Sequence, residues 1–390
     1  MKFVDVIEIN PSIALQKGQE YPFVEMANVG TNCREPLLVE RKVFSSGVKF
    51  QDGDSVFARI EPCLQNGKKF YCHNIGTGFG STEYLVFRPK GDQIDQMFLY
   101  YFLQTEYIRK NMINSMNGAT GRQRVNNDIF RTLEIDLPPI DKQKTIGLYL
   151  SSFDDLIENS HKQIKLLEEA AQRLYKEWFV DLRFPGYENT PITDGVPEGW
   201  STCKLSDVIS FKPKVKLSKE RIKQFVPMQA LSTNSMVLDT SQFTATTSNS
   251  GSKFQNGDTL LARITPCLEN GKTAFVTGIE SDEGAVGSTE FIVMRSKELN
   301  PYMVYLLART DDFRQAAINS MTGSDGRQRA QVDKLEVLPY LKPMQNVIDF
   351  FACVAEPLFQ QIDVKRRQIQ QLTEARDMLL PKLMNGEIEM

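Results

Sequence analysis

The chain has 390 residues, of which 41% are hydrophobic, and this is enough to bury a core in each of two to four domains. Its 46 basic and 49 acidic side chains give a net charge of −3, so no global basic excess indicates nucleic acid and any cationic surface must be local. Six cysteines without a CxxC pair, beside only two histidines, exclude a disulfide framework and a zinc cluster.

The chain opens with MKFVDVIEIN, which lacks the basic start and the apolar core of a signal peptide. No apolar run approaches the roughly 20 residues that span a bilayer. We therefore expect a cytoplasmic protein whose cysteines are reduced.

Two halves of the chain then repeat the same motifs in the same order, and such self-similarity reports architecture before any single motif does. The matching pairs are KFQDGDSVFARIEPCLQNGKK at Lys49 with KFQNGDTLLARITPCLENGKT at Lys253, GSTEYLVFR at Gly80 with GSTEFIVMR at Gly287, and INSMNGATGRQR at Ile113 with INSMTGSDGRQR at Ile318. The sequence therefore predicts one architecture built twice.

Within each half the residues predict a mixed α/β domain. DGD or NGD forms a tight turn, SVFARI or TLLARI a strand, and EYLVFR or EFIVMR another strand. Apolar residues three and four apart predict helical segments in MFLYYFLQTEYIRK and PYMVYLLARTDDFRQ, and a glycine-rich loop carrying GRQR follows each of them. We call the two copies the first module (residues 1–140) and the second module (residues 184–341).

A long amphipathic helix follows each module, at residues 141–183 and 342–390. Apolar residues alternate there at steps of three and four, which is the a/d seam of a coiled coil. The seam comprises Leu150, Phe153, Ile157, Ile164, Leu167, Leu174 and Trp178 in the first helix and Leu358, Ile362, Ile369, Leu372, Leu379 and Leu383 in the second, with Ser160, Ala171, Lys365 and Arg376 at the remaining seam positions. Pro357 suggests that the second helix begins or is kinked there.

Two helices with one apolar seam each can satisfy one another by packing together, and two-fold logic then requires them to run antiparallel. The alternative is that each helix lies on its own module. We predict an α+β fold in which two repeated mixed α/β modules are separated by an antiparallel pair of long coiled-coil helices, with pseudo-two-fold symmetry.

Two similar modules at a fixed separation suit duplex DNA, which dimeric proteins bind at half-sites. Arginine pairs with guanine and glutamine with adenine through two hydrogen bonds, so the GRQR loops are candidates for base recognition. The candidate base-reading residues are Arg122, Gln123, Arg124, Arg327, Gln328 and Arg329, and the candidate phosphate contacts are Lys49, Lys68, Lys253, Lys272, Arg59 and Arg263.

Each of these assignments has a structural alternative. The GRQR arginines could pair with nearby carboxylates in a solvated loop, and Arg59 and Arg263 could form internal salt bridges. Glu83 and Glu290, in the two GSTE motifs, are predicted to anchor a turn or an internal arginine.

An enzyme is disfavoured by the residues that repeat. Asp54 with Glu83, and Asp258 with Glu290, are the only repeated acidic pairs that could hold a nuclease metal ion. GTGFG at Gly76 resembles a nucleotide-binding loop, but its counterpart SDEGAVG loses the pattern. We therefore expect a binding protein without a metal site.

Longer motifs are similar to those of a known family. KEWFVDLRFPGYE at Lys176, PEGWSTCKLSDV at Pro197 and LLPKLMNGEIEM at Leu379 resemble hallmarks of the specificity subunit of type I restriction–modification systems. The resemblance covers essentially the whole chain, as a first target-recognition domain (1–140), a central conserved helix (141–183), a second target-recognition domain (184–341) and a distal conserved helix (342–390).

The resemblance implies that each recognition domain reads one half of a bipartite site in double-stranded DNA. It implies that the helices set the spacer and dock two modification subunits, which hold S-adenosylmethionine and methylate adenine. It also implies a restriction subunit that uses ATP and Mg²⁺ for translocation and cleavage. This chain would hold no cofactor and would itself be non-catalytic.

The chain departs from the family pattern in two ways. The first module lacks the PEGW lead-in of the second, and the two recognition domains share GRQR and GSTE although such domains tend to differ within one chain. We therefore hypothesise related, nearly palindromic half-sites. The alternative function is a coiled-coil scaffold whose modules bind proteins rather than DNA.

Overall fold

The structure is a computed structural model that describes residues 1–31, 33–324 and 326–389. The chain forms two compact units, Met1–His161 with Gln368–Met390, and Lys162–Arg367. Each unit contains one module together with part of each long helix. None of the helices in the described ranges is long and apolar enough to cross a membrane.

The described residues of the first module form four short α-helices and eight strands. In chain order they are α1 (Phe3–Val6), β1 (Ile7–Ile9), β2 (Glu20–Val24), β3 (Glu40–Val43), β4 (Val48–Phe50), β5 (Ser55–Ala58), β6 (Lys69–Tyr71), β7 (Gly78–Gly80), β8 (Tyr84–Pro89), α2 (Gln96–Phe102), α3 (Glu106–Asn114) and α4 (Ile129–Thr132). The strands form two four-stranded sheets, with the orders β1-β8-β5-β6 and β3-β2-β7-β4. All pairings are antiparallel except that of β2 with β7.

Strand β5 shows why this module has a core on two sides. Its four residues are all buried, and neighbouring side chains point to opposite faces of a sheet. Val56 packs with residues of the second sheet such as Val24 and Phe50, whereas Phe57 belongs to a cluster with the helices. A strand that is buried on both faces needs apolar side chains at successive positions, and β5 and β8 supply them in VFA and YLVF.

The first long helix is α5 (Ile140–Tyr175), which continues into a π-helical turn at Lys176–Val180. The second unit continues with β9 (Ile192–Thr193), β10 (Val196–Pro197), β11 (Ser201–Lys204), α6 (Leu205–Val208), β12 (Ile209–Phe211), β13 (Lys223–Val226), β14 (Thr244–Thr246), β15 (Ser252–Phe254), β16 (Thr259–Ala262), β17 (Thr273–Phe275), β18 (Ala285–Gly287), β19 (Phe291–Ser296), α7 (Pro301–Ala308), α8 (Asp311–Asn319), α9 (Val332–Glu336), β20 (Pro339–Lys342) and α10 (Gln345–Met384).

The second module repeats the topology of the first. Its two main sheets have the orders β12-β19-β16-β17 and β14-β13-β18-β15, again with one parallel pairing, between β13 and β18. The hairpin β9–β10 is an addition. The pairing of β11 with β20 covers four residues of each strand, where the first module forms a single bridge between Lys2 and Glu134. The repeated architecture predicted from the sequence is therefore confirmed.

Within each unit the beginning of one long helix packs with the end of the other. In the first unit Leu150 of α5 and Leu383 of α10 share one core, and Arg376 of α10 contacts Asp154 of α5. In the second unit Tyr175 of α5 lies 6.2 Å from Phe351 of α10, between ring centroids. The paired segments therefore run antiparallel in both units.

The second long helix does not begin at Pro357. It begins at Gln345 and continues through the proline to Met384. A proline inside a helix costs about 3 kcal/mol or more, through a lost hydrogen bond and a steric clash. Phe351 and Phe359 are buried on either side of Pro357, and their packing offsets that cost.

Candidate nucleic-acid interface

The GRQR loop of the first module is closed at its base by backbone hydrogen bonds. The amide of Arg124 donates to the carbonyl of Asn117, and the amide of Asn117 donates to Arg124, both at 2.9 Å. Between them, Gly118 and Gly121 have φ of 125° and 81°, a backbone conformation that disfavours side chains. The amide of Glu61 also donates to the carbonyl of Gln123 at 2.9 Å. The loop thus has a defined backbone conformation.

A two-point ion pair fixes the last arginine of this loop. Arg124 Nη2 donates to Glu83 Oε1 at 2.7 Å, and Arg124 Nε donates to Glu83 Oε2 at 2.9 Å. These bonds raise the pKa of Arg124, which therefore stays charged. Arg124 was predicted to read bases, but the edge of its guanidinium that carries Nε and Nη2 bonds Glu83 and so holds the loop. This agrees with the alternative prediction that Glu83 anchors an internal arginine.

Arg122, two residues earlier, has a different environment. Its side chain is exposed, and the structure gives it no ion pair or side-chain hydrogen bond within the described residues. Gln123 is half-buried, with its carbonyl used in the loop. Arg122 is therefore the arginine of this loop that is available to a ligand.

The second module builds the same loop. Arg329 Nη2 donates to Glu290 Oε1 at 2.7 Å, Arg329 Nε donates to Glu290 Oε2 at 3.0 Å, and these bonds raise the pKa of Arg329. The amide of Arg329 donates to the carbonyl of Thr322 at 2.9 Å, which closes the base. Arg327 is exposed, without an ion pair in the described part of the chain, and Gln328 is half-buried. The same division between a fixed and an available arginine occurs in both modules.

The lysines predicted to contact phosphates mostly have internal partners. Lys68 Nζ donates to the carbonyl of Met26 at 2.7 Å. Its counterpart Lys272 donates to the carbonyl of Met228 at 3.0 Å. Each lysine thus joins the PCLxNGK turn to a 3-10 helix, Met26–Asn28 or Met228–Ala230. This structural role explains why the lysine occurs in both modules, without a phosphate contact.

The remaining pair of lysines is not equivalent. Lys49 Nζ donates to the carbonyl of Ile13 at 2.6 Å and lies 5.4 Å from the centre of the Phe44 ring. Lys253 is half-buried, and the described residues give it no ion pair. A shared phosphate contact at these two positions finds no support in the geometry.

Arg59 and Arg263 support the loops from beneath. Arg59 Nη2 donates to the carbonyl of Val125 at 3.0 Å, and Arg263 Nη2 donates to the carbonyl of Ala330 at 2.9 Å. Their Nε atoms are buried without a partner among the described residues. Each guanidinium therefore bonds the backbone just after GRQR and forms no internal salt bridge among the described residues, while its phosphate contact stays a prediction.

The repeated acidic residues are neutralised by separate arginines. Asp54 accepts two hydrogen bonds from Arg88, at 2.7 and 2.8 Å, and Asp258 accepts two from Arg295, at 2.6 and 2.7 Å. Since Glu83 and Glu290 are held by the loop arginines, neither module joins its two carboxylates into a metal site. Elsewhere in the described ranges, no group of three His, Cys, Asp or Glu residues is placed to hold a metal ion.

The thirteen apolar seam residues are all at least half-buried. Those that are fully buried are Leu150, Ile157, Ile164, Trp178, Ile362 and Leu383, and those that are half-buried are Phe153, Leu167, Leu174, Leu358, Ile369, Leu372 and Leu379. The seam is therefore used in packing within the units.

A buried polar network joins the helices to the first module, and the sequence did not predict it. Arg34 donates to Glu158 at 2.7 Å and to Asp155 at 2.6 Å, and Arg376 pairs with buried Asp154. The available signal was Arg376 itself, a charged residue at a seam position. Burial, with the nearby charge of Arg376 as a second cause, lowers the pKa of Lys69 to about 8 beside this network.

Comparison with known proteins gives the class of the modules. Residues 4–169 match the family model of the type I restriction modification DNA specificity domain. The chain is 28% identical over 323 residues to the specificity subunit of the type I restriction enzyme MjaIX of Methanocaldococcus jannaschii, which covers 77% of this chain and 70% of that one. It is 22% identical over 327 residues to the MjaVIII specificity subunit of the same organism, with 80% and 74% covered.

A solved structure shares the fold. The S subunit of a type I restriction-modification system from M. genitalium superposes with a TM-score of 0.52 at 15% sequence identity, over 98% of this chain and 95% of that one. The first module thus carries a DNA-specificity domain. Over most of its length the chain is similar to specificity subunits of type I restriction–modification systems.

Proposed function

We propose that each module reads one half of a bipartite DNA site, with Arg122 and Arg327 as the arginines that contact bases. The observation that carries this proposal is the division of labour in both GRQR loops. Arg124 and Arg329 are fixed by glutamates, whereas Arg122 and Arg327 are exposed on the same fixed loops.

A fixed loop favours sequence reading for an energetic reason. Holding a side chain in one geometry costs conformational entropy, and a loop that is already ordered reduces this cost on binding. An arginine that donates two hydrogen bonds to guanine discriminates against another base by about 1–3 kcal/mol. Gln123 and Gln328, adjacent to the free arginines, are the proposed partners of adenine.

Chemistry is proposed to reside in partner subunits. Two modification subunits would bring S-adenosylmethionine, and restriction subunits would bring ATP and Mg²⁺ for translocation and cleavage. The long helices are their proposed docking surface, since they retain exposed apolar side chains after the seam is buried. These include Leu148, Leu156 and Leu166 on α5 and Phe350, Val364 and Met378 on α10. This chain would set the distance between the half-sites and would not itself catalyse.

Selection from a random-sequence duplex library with the assembled complex tests the reading function. We expect enrichment of a bipartite site by the wild type. Arg122→Ala should lose about tenfold in discrimination at one base pair or two adjacent ones in one half-site, since 1.4 kcal/mol is a factor of ten. Arg327→Ala should do the same in the other half-site.

Arg131→Ala is the matched control. Arg131 is an exposed arginine of the same module and, among the described residues, pairs with Asp128 alone, on its own helical turn. It should leave the selected site unchanged. Enrichment of no sequence, as the protein-scaffold alternative predicts, would contradict the proposal. Equal effects of Arg122→Ala and Arg131→Ala would contradict the role of the loop.

A further inference from the structure

The two GRQR loops are the same structure to within a few tenths of an ångström in every bond compared. The amide of Glu61 donates to the carbonyl of Gln123 at 2.9 Å in the first loop, and the amide of Thr265 donates to that of Gln328 at 3.1 Å in the second. The glycine φ angles are 125° and 81° in the first loop and 133° and 78° in the second. The geometry therefore repeats together with the letters.

The residues that support the loops repeat as well. Val125 donates its amide to the carbonyl of Arg59 at 3.0 Å, and Ala330 donates to that of Arg263 at 2.8 Å. The guanidiniums of the same two arginines return a hydrogen bond to Val125 and Ala330. Each loop is thus held by the same backbone and side-chain partners, so its two available side chains start from the same place.

Base recognition depends on the type of donor or acceptor and on its position against the base edge. Arg122 and Arg327 are both exposed, and Gln123 and Gln328 are both half-buried. Because the two loops have the same conformation and carry the same side chains, they would present the same hydrogen-bonding groups to a DNA groove. They should therefore prefer the same base pairs.

Asn117, Ala119 and Val125 of the first loop face Thr322, Ser324 and Ala330 of the second, and one further difference changes the charge at the base of the loop. Glu61 Oε2 accepts a hydrogen bond from the amide of Gly121 at 3.0 Å, so the first loop has a carboxylate at its base. Thr265 stands at the equivalent position, and its Oγ1 lies 3.1 Å from the carbonyl of Gln328. A carboxylate accepts from cytosine N4 and repels phosphate, whereas a threonine hydroxyl is neutral and can both donate and accept.

We infer that the two half-sites share the base pairs read through Arg122–Gln123 and Arg327–Gln328, and differ beside them according to Glu61 and Thr265. The inference rests on the proposed function and adds to it the relation between the two halves of the target. The shared loop geometry carries it, since it places Arg122 and Arg327, and likewise Gln123 and Gln328, on backbone of the same conformation.

The selection experiment tests this when the two enriched half-sites are aligned with each other in either orientation. We expect a common run of base pairs in both. Arg122→Ala and Arg327→Ala should then relax the same position of that common run, each in its own half-site, by about tenfold.

Reciprocal exchange at the differing position sharpens the test. Glu61→Thr should shift the first half-site toward the sequence of the second, and Thr265→Glu should shift the second toward the first. The two variants lie in different modules, so misfolding of one leaves the other as an independent measurement. Each variant also keeps its unaltered half-site as an internal control.

Two failures are distinguishable. Sequence-specific enrichment of two half-sites without a common run, or relaxation of unrelated positions by the two arginine variants, would overturn this inference and leave the reading function intact. Absence of any enriched sequence would overturn the reading function, and this inference with it.

Discussion

The two arginines of the first GRQR motif have different roles. Arg124 is held at two points by Glu83, while Arg122 is exposed on the loop that this pair fixes. The motif was predictable from the repeat, but the division between the arginines was not. It depends on a glutamate 41 positions away, which only the fold brings to Arg124.

Glu83→Gln tests the anchoring role, because the two explanations predict opposite changes in DNA affinity. On charge alone, removing a carboxylate near DNA should strengthen binding, because the phosphates are negative. If Glu83 fixes the loop, the same change should weaken binding several-fold, since the loop that presents Arg122 loses the ion pair that holds it. Fluorescence anisotropy of the assembled complex with its selected duplex measures the affinity.

Glu106→Gln is the control for that measurement. Glu106 is an exposed acid in the first turn of α3 in the same module. Its removal should leave affinity unchanged or raise it slightly. If Glu83→Gln bound DNA as tightly as Glu106→Gln, the ion pair would have no part in presenting the loop.

The heptad pattern was the most reliable guide at the scale of elements. It placed thirteen apolar residues on one seam, and the structure leaves none of them exposed. The pattern could not give strand order, because pairings such as β1 with β8 join residues far apart in sequence. The helical segments predicted in MFLYYFLQTEYIRK form as two helices, α2 and α3, with residues 103–105 between them.

Helix α10 supplies a matched pair of residues for testing the seam. Leu383 is 2% exposed and packs in the core of the first unit, whereas Met378 is 64% exposed on the same helix. Leu383→Ala should lower the free energy of unfolding by about 2–5 kcal/mol, since it removes buried methyl groups and leaves a cavity. Met378→Ala should change it by less than about 0.5 kcal/mol.

Denaturant unfolding of the full chain measures both variants. The transition of the first unit should move to lower denaturant for Leu383→Ala alone. Equal shifts for the two variants would mean that the predicted seam of α10 does not contribute to the stability of this unit.

Across the molecule as a whole, the two modules share one architecture but contact the long helices through different kinds of side chain. The first unit uses buried charges, including Arg34 with Glu158 and Arg376 with Asp154. The second uses aromatic packing, with Phe359 of α10 lying 5.0 Å from Phe275 and 4.7 Å from Tyr302 between ring centroids. The sheets and loops are therefore more alike in the two modules than the contacts that each module makes with the long helices.

This contrast also sets the limit of what the sequence predicted. The repeated letters identified the shared loops and the strands that carry them. Arg34 has no arginine counterpart in the second module, so self-comparison could not assign its role. Its partners became visible only with the helices in place.

Photo-cross-linking from the loop tips tests whether each GRQR loop lies against its own half of the DNA site. Ala119 and Ser324 are exposed and lie three residues before Arg122 and Arg327. Among the described residues of the loops, each is bonded through its backbone carbonyl alone. A photoreactive side chain at either position can therefore be introduced without altering the anchoring ion pairs. The complex would be irradiated on its selected duplex and the modified bases mapped by sequencing.

We predict that the probe at position 119 modifies bases in one half-site and that the probe at position 324 modifies bases in the other. Cross-links that fall on neither half-site, or on protein alone, would contradict the claim that these two loops read the DNA.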